Sequence, residues 1–284
     1  MPGDAYVVRT PASSANVGAG FDVLGLALDV YADIGTGEPL GRATALDEHH
    51  PASVAFSEFG GTGAIWMRCR IPMARGLGFS GAVRVGAAAL AAVQNSTASD
   101  TAIVEAADEI LTASSRLEGH GDNAAASLYG GVVAYVDGRA IPMRVGPVLS
   151  AAAVIAWIPD VVTQTDRSRR ALSTTVERAA AVQNIGHSIQ FALAIEHDDP
   201  ELLAGATSDR IHQRDRLPLV AGAETALRDG VEAGAWCGWL SGSGPTVAFL
   251  CAADRIAAVL AALPPAGHCN QLAIDRLGAR LIET

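Results

Sequence analysis

The 284-residue chain contains no lysine; all 20 of its basic residues are arginine. A P-loop of the form G-x-x-x-x-G-K-[ST] is therefore excluded, as are the strand lysine of the protein-kinase fold and Schiff-base chemistry. Aromatic residues are scarce, 5% against 50% hydrophobic residues overall, so the core has to be aliphatic and rich in alanine. Cys69, Cys237, Cys251 and Cys269 form no C-x-x-C pair and no small-domain framework, and read as buried apolar residues of a reducing compartment. A formal charge of −10 argues against nucleic acid, whose partners present clustered basic surfaces. No apolar run approaches the roughly 20 residues of a membrane helix. The opening residues lack a basic stretch leading into an apolar one, so no secretory signal is expected. These absences together predict a cytoplasmic protein.

What is present is a glycine-rich segment, Gly76-Leu77-Gly78-Phe79-Ser80-Gly81, that opens directly into an apolar run of small residues. Without lysine, a phosphate there has to be held by backbone N–H groups, a helix N-terminus, hydroxyls, arginine or a metal ion. The segment also matches G-x-G-x-x-G. The dinucleotide fingerprint, however, needs a βαβ unit with an acidic residue ending the next strand about 20 residues on. Asp100 stands at that distance but precedes a predicted helix, and Pro72 separates the loop from the strand before it. A Rossmann half is disfavoured. Glycine this dense at a helix entry can serve close packing alone, but followed by Ser80 it favours an anion site.

Periodicity and turn residues predict two α+β halves with a boundary near 147–151, so domains of 1–148 and 149–284. In the first half, strands are expected at 6–9, 23–30 and 65–70, with turn-rich loops at 10–22 and 35–51. A helix buried nearly all round is expected at 80–93, where Arg84 is the only charge. A second helix covers 101–116, and a hairpin at 130–136 and 140–145 turns at Asp137-Gly138. In the second half, a strand at 152–158 precedes a long helix opened by a Thr174/Glu177 capping box, with Val182, Ile185, Ile189 and Leu193 as its apolar face. Asp199-Pro200 restarts a helix. A helix at 223–233, two strands around a Ser/Gly loop ending at 251, a helix at 256–263 and a last strand at 279–282 complete the pattern.

Two further loops stand out. Pro11-Ala-Ser-Ser-Ala-Asn-Val-Gly-Ala-Gly-Phe-Asp22 lies between two predicted strands, and so does Ser241-Gly-Ser-Gly-Pro-Thr246. With Pro72–Ala82 they resemble, in order, the three motifs of the GHMP small-molecule kinases. Phe79 stands where the first serine of P-x-x-x-G-L-G-S-S-A is usual. Glu118-Gly-His-Gly-Asp-Asn123 resembles the E-G-H-x-D-N signature of the homoserine kinase branch. Thr165-Asp-Arg-Ser-Arg169 with Leu172 resembles that branch's T-x-x-x-R-x-x-L-P, with Ser173 in place of the proline. Asp209, His212 and Arg216 resemble its D-x-x-H-x-x-x-R.

The resemblance implies an α+β two-domain fold, ribosomal protein S5 domain 2-like followed by ferredoxin-like. It implies ATP and Mg²⁺ as cofactors and L-homoserine as the acceptor. Pro72, Arg75, Gly76, Leu77, Gly78, Phe79, Ser80, Gly81, Ser243 and Gly244 would bind ATP, and Ser80 and Glu118 the metal, whose oxygen-only chemistry suits them. Asp22 would meet the substrate ammonium, and Thr165, Arg169 and Arg216 the carboxylate side. Asn16, His120, Asp122 and Asn123 would line the reacting hydroxyl and the transferred phosphate, with no residue singled out as general base. A homodimer is the expected assembly. Read one by one, Arg169 could belong to a solvated face and His120 to the core. The motifs also leave open a kinase of threonine or pantoate, or a non-catalytic ligand-binding member.

Overall fold

The computed structural model describes residues 5–96, 99–161 and 165–283, and for residues 165–167 the backbone only. The first half is a sheet built from β1 (Val7–Ala15), β2 (Leu24–Thr36), β3 (Thr44–Ala45), β4 (Ile65–Cys69), β5 (Val132–Val136) and β6 (Arg139–Met143). Its helices are α1 (Pro51–Glu58), α2 (Phe79–Gln94), α3 (Asp100–Glu105), α4 (Ala107–Glu118) and α5 (Asp122–Tyr129). The second half carries α6 (Pro147–Ser150), β7 (Ala153–Ile158), α7 (Thr165–Arg170), α8 (Arg178–His197), α9 (Gln213–Arg216) and α10 (Ala223–Glu232). It closes with β8 (Cys237–Leu240), β9 (Val247–Cys251), α11 (Ile256–Ala262), β10 (His268–Leu272) and β11 (Arg280–Ile282).

The first sheet runs β11-β1-β2-β4-β3, and the other end of the long β2 pairs with β5, which pairs with β6. The second sheet, β10-β7-β9-β8, is antiparallel and has the ferredoxin-like order. The final strand leaves the second half and pairs with β1, Val7 opposite Ile282. One hydrophobic core joins the inner faces of both sheets around α2, and a second lies between the outer face of the second sheet and α10 with α11. The small residues of α2 serve this centre: the helix is buried along most of its length, against β1, α1, α4 and α5. A Cβ on Gly86 would stand 3.0 Å from the Thr10 hydroxyl.

Several expectations need correction. β1 runs on through the segment predicted as a loop, to Ala15, with a register shift between Pro11 and Ala12. Serine hydroxyls that bond their own backbone compete with a strand, and those with partners elsewhere do not. Here Thr10 donates to Ala82 O at 3.0 Å, Ser13 to Asn123 Oδ1 at 2.9 Å, and Ser14 lies 2.7 Å from the Ser241 hydroxyl. The predicted loop at 35–51 gives way at Pro51 to α1, N-capped by His50 Nδ1. The single helix expected at 101–116 is broken at Ala106 into α3 and α4. β10 lacks a strand pattern because it is a polar edge strand. α8 begins at Arg178 with no side-chain cap, so the Thr174/Glu177 box does not form. Its predicted apolar face points outward: Val182, Ile185, Ile189 and Leu193 are all exposed. Ala180, Asn184, Phe191, Ala194 and Ile195 are buried instead. The inward face includes polar groups because Asn184 and Ser188 both donate to Ala19 O.

Candidate active site

The glycine loop owes its shape to bonds that turn its carbonyls away. Thr246 Oγ1 donates to Arg75 O at 2.6 Å, Ser241 Oγ to Gly76 O at 2.6 Å, and Ser13 N to Leu77 O at 3.2 Å. Gly76 (φ 74°) and Gly78 (φ 67°) occupy the left-handed region, and Gly78 is the N-cap of α2 without a side-chain cap. The amides of Phe79, Ser80 and Gly81 therefore have no intrahelical acceptor and carry the positive end of a 16-residue helix. A Cβ on Gly78 would lie 2.0 Å from Ser13 Oγ and 2.9 Å from Asn123 Oδ1. Gly78→Ala is expected to cost about 2 kcal/mol or more and to raise the KM for nucleotide. Urea unfolding and steady-state kinetics check both effects; an unchanged midpoint would show that the turn has room.

α4 ends at Glu118 under a left-handed Gly119, and α5 begins at Asp122, so the E-G-H-G-D-N run fills the corner between two helices. That corner faces the start of α2. The Ser80 hydroxyl donates to Glu118 Oε1 in a short hydrogen bond. Arg84, one turn further along α2, sets its Nε 3.1 Å from the same oxygen and its Nη1 3.3 Å from Ser80 Oγ. The sequence identified Arg84 only as a lone charge. Its spacing of four from Ser80 on a buried helix is the signal that it needed a partner.

His120 Nδ1 lies 2.9 Å from Asp122 Oδ1, which also accepts the Asn123 amide at 2.8 Å. Burial pulls the His120 pKa down, but the hydrogen bond and charge of Asp122 outweigh it and leave the imidazole above its usual value. His120 is thus suited to act as a cation, with the buried Asp122 holding it and the Asn123 amide through Oδ1.

The opposite wall comes from the loop after β1 and from α7 and α9. Asn16 (φ 70°) donates to Gly242 O at 2.8 Å and accepts the Asp22 amide at 3.0 Å, tying the first loop to the third. Arg169 Nη2 lies 3.4 Å from Asp22 Oδ1. Burial and the nearby Asp122 raise the Asp22 pKa, only partly offset by Arg169, His120 and Arg216. Arg216 is buried, with its guanidinium 5.3 Å from the centre of the Phe21 ring and Nη1 3.3 Å from His212 Nδ1. His212 stacks on Phe21 and lies 2.9 Å from Gly18 O through Nε2, which fixes the Nε2–H tautomer.

Burial and the adjacent Arg216 depress the His212 pKa to about 4. Its folded value lies below the unfolded 6.5, so the neutral ring's contribution is complete above pH 6.5. That contribution, up to about 3 kcal/mol, is lost as the pH falls toward 4. The stability difference between pH 7.5 and 4.5 is expected to shrink in His212→Gln; denaturant titrations at both pH values measure it, and an unchanged difference would place the acid sensitivity elsewhere.

All three loops meet in one cleft of about 380 Å³. Asn16, Asp22, Pro72, Arg75, Gly76, Leu77, Gly78, Phe79, Ser80, Gly81, Glu118, His120, Asp122, Asn123, Arg169, Arg216, Ser243 and Gly244 line it, as does Arg84. The Thr165 side chain lies outside the described residues. Phe79 lacks the usual hydroxyl but keeps its backbone amide at the helix start, and its ring meets His50 edge-on at 6.4 Å. Ser80 and Glu118 form a hard two-oxygen donor pair, a fit for a cation that retains waters and phosphate oxygens. Groups of three or more acidic, His or Cys ligands do not occur among the described residues.

Residues 41–131 match the family model of the GHMP kinases N terminal domain. The chain is 32% identical to the homoserine kinase of Desulfitobacterium hafniense, over 97% of this chain and 99% of that protein. It is 35% identical to the homoserine kinase of Streptomyces avermitilis, over 98% and 96%. The crystal structure of homoserine kinase from Cytophaga hutchinsonii superposes with a TM-score of 0.81 at 21% identity, covering 98% of each chain, which shows the shared fold.

Proposed function

The chain belongs to the homoserine kinase branch of the GHMP kinases, and we propose that it transfers the γ-phosphoryl group of ATP to the side-chain hydroxyl of L-homoserine. The observation that carries this reading is the pairing of two unlike walls in one cleft. On one side stand a bare helix N-terminus and a hydroxyl–carboxylate pair; on the other, one anion and two guanidiniums. The first suits polyphosphate, and the second a zwitterionic amino acid.

The nucleotide side belongs to residues 1–148, where the Phe79, Ser80 and Gly81 amides receive the phosphates. Ser243 and Gly244, from the 149–284 half, line the same cleft. Ser80 and Glu118 would hold Mg²⁺, which when bound supplies charge neutralisation and fixes the phosphate orientation. Arg84 positions the Glu118 carboxylate beside Ser80. On the acceptor side, Arg169 and Arg216 take the substrate carboxylate and Asp22 its ammonium. Asn16 and Asn123 position loops as well as lining the reacting hydroxyl. Protonated His120, held by Asp122, stabilises charge on the transferred group. A loose transition state demands little proton abstraction before bond cleavage, so catalysis rests on alignment and electrostatics.

An ADP-release assay with Mg²⁺ and ATP over homoserine, threonine and pantoate tests the reading. Homoserine is expected to exceed the others in kcat/KM by roughly 10²-fold or more, because a misplaced hydroxyl or a missing ammonium leaves buried groups unpaired. Preference for threonine or pantoate would transfer the assignment to that substrate. Nucleotide binding with no turnover on any acceptor would contradict it.

A further inference from the structure

Among the described residues, Arg75, Arg84, Arg169 and Arg216 line the cleft, and all but Arg84 are engaged away from the Ser80–Glu118 pair. Arg75 Nη1 donates to Pro159 O and Val161 O, Arg169 faces Asp22, and Arg216 lies against Phe21 and His212. Arg84 is the one charge between Phe79 and Gln94, and its side chain is 18% exposed, against 8% for Glu118. Taking a guanidinium and a carboxylate this far out of water is costly unless each is well bonded. Here the bonding is incomplete. Arg84 Nε is buried 3.1 Å from Glu118 Oε1 but makes no hydrogen bond among the described residues, so charge holds the pair without a directed N–H. Nη1 reaches Ser80 Oγ only at 3.3 Å. A methionine would cover the same helix surface without that cost, which ties the charge at position 84 to the cleft.

We propose that Arg84 is a phosphate-binding residue held in reserve by Glu118. The guanidinium neutralises the carboxylate until a divalent cation takes it, and then pairs with the phosphates gathered at the amides of residues 79–81. Ser80 and Arg84 converge on the same oxygen, Glu118 Oε1, so a cation on Ser80 and Glu118 competes with the guanidinium for that carboxylate. The distance to be crossed is short, because Nη1 is already in contact with the Ser80 hydroxyl and the Ser80 amide is one of the open donors. In a chain without lysine, arginine supplies the fixed positive charge, and its planar fork matches phosphate oxygens. Pairing with Arg84 also keeps Glu118 from repelling an incoming polyphosphate. The inference rests on the reading of this corner as a cation and polyphosphate site.

Calorimetric titration of the full chain with ATP in EDTA tests the exchange, with Glu118→Gln standing for a carboxylate already taken. Glu118→Gln is expected to bind metal-free ATP about tenfold more tightly than the native chain. Adding Arg84→Met is expected to remove that gain, while Arg84→Lys keeps most of it. AMP, which lacks the β- and γ-phosphates, should bind all these variants alike. Circular dichroism checks the fold, and Arg84→Gln replaces Arg84→Met if methionine at this position unfolds the chain. A residue that merely positioned Glu118 would leave Glu118→Gln and the double variant equal, and that equality would overturn the phosphate role. Metal-free ATP binding no tighter in Glu118→Gln than in the native chain would overturn the exchange. ATP binding with Mg²⁺ that is indifferent to Arg84 sinks this inference alone, whereas a chain that binds ATP under no condition sinks the reading of the corner with it.

Discussion

Glu118→Ala is expected to lower kcat by about 10³-fold while leaving the KM for homoserine within a few-fold. The carboxylate is the acidic half of the Ser80–Glu118 oxygen pair, and its removal also strips Arg84 of the group it faces at 3.1 Å. On the proposed assignment, a cation that binds through one or two protein oxygens plus phosphates would lose its carboxylate ligand. Asp122→Asn provides the contrast. Asp122 is buried, and its Oδ1 is bonded to His120 and to the Asn123 amide, which suits it to orient the imidazole. Turnover should therefore fall only modestly. The pH at which activity changes with His120 ionisation should move down, since the Asp122 charge and hydrogen bond hold that pKa above its ordinary value. Single-turnover rates across pH separate the two variants. Equal abolition by both would argue for a base mechanism through Asp122.

Arg169→Met is expected to raise the KM for homoserine by about 10²-fold, with the KM for ATP unchanged. That rise is equivalent to roughly 2.7 kcal/mol, the scale of one charge-assisted hydrogen bond to the substrate carboxylate. Arg169 is only half-buried and holds Asp22 at 3.4 Å, so its removal leaves the fold intact. Arg216 differs. It is buried against Phe21 and His212, and replacing it should cost stability as well as affinity. The KM split between the two substrates decides the matter: a rise for ATP alone would move Arg169 to the phosphate side. Asp22→Asn should weaken homoserine through the ammonium and leave a des-amino acceptor little affected.

Much of this site is local in the chain, which is why it can be read there. The glycine loop, the Ser80 helix start and the E-G-H-G-D-N corner each need specific residues at fixed short spacing, and composition exposes them. The bonds that bring the loops together are legible only as matching small polar residues. Ser14 with Ser241, Asn16 with Gly242 and Ser241 with Gly76 span more than 160 positions each. The strand expected at 6–9 is found, but its continuation over 10–15 is hidden because tertiary hydrogen bonds, rather than β-forming side chains, make it a strand. α5 is hidden by the motif before it, whose glycines suggest a loop where the helix has already begun at Asp122. The most instructive error is α8. Periodicity located its apolar stripe correctly, but periodicity reports that a helix has an apolar face and not that this face is turned to the core. The inward face is instead filled by alanines, Phe191, and two polar residues tied to Ala19 O.

A crystal structure of the chain with a non-hydrolysable ATP analogue, Mg²⁺ and homoserine tests the account at its centre. Phosphate oxygens are expected on the amides of residues 79–81, the metal on Ser80 and Glu118, and the substrate carboxylate between Arg169 and Arg216. A nucleotide seated elsewhere, with the 76–81 turn vacant, would contradict it.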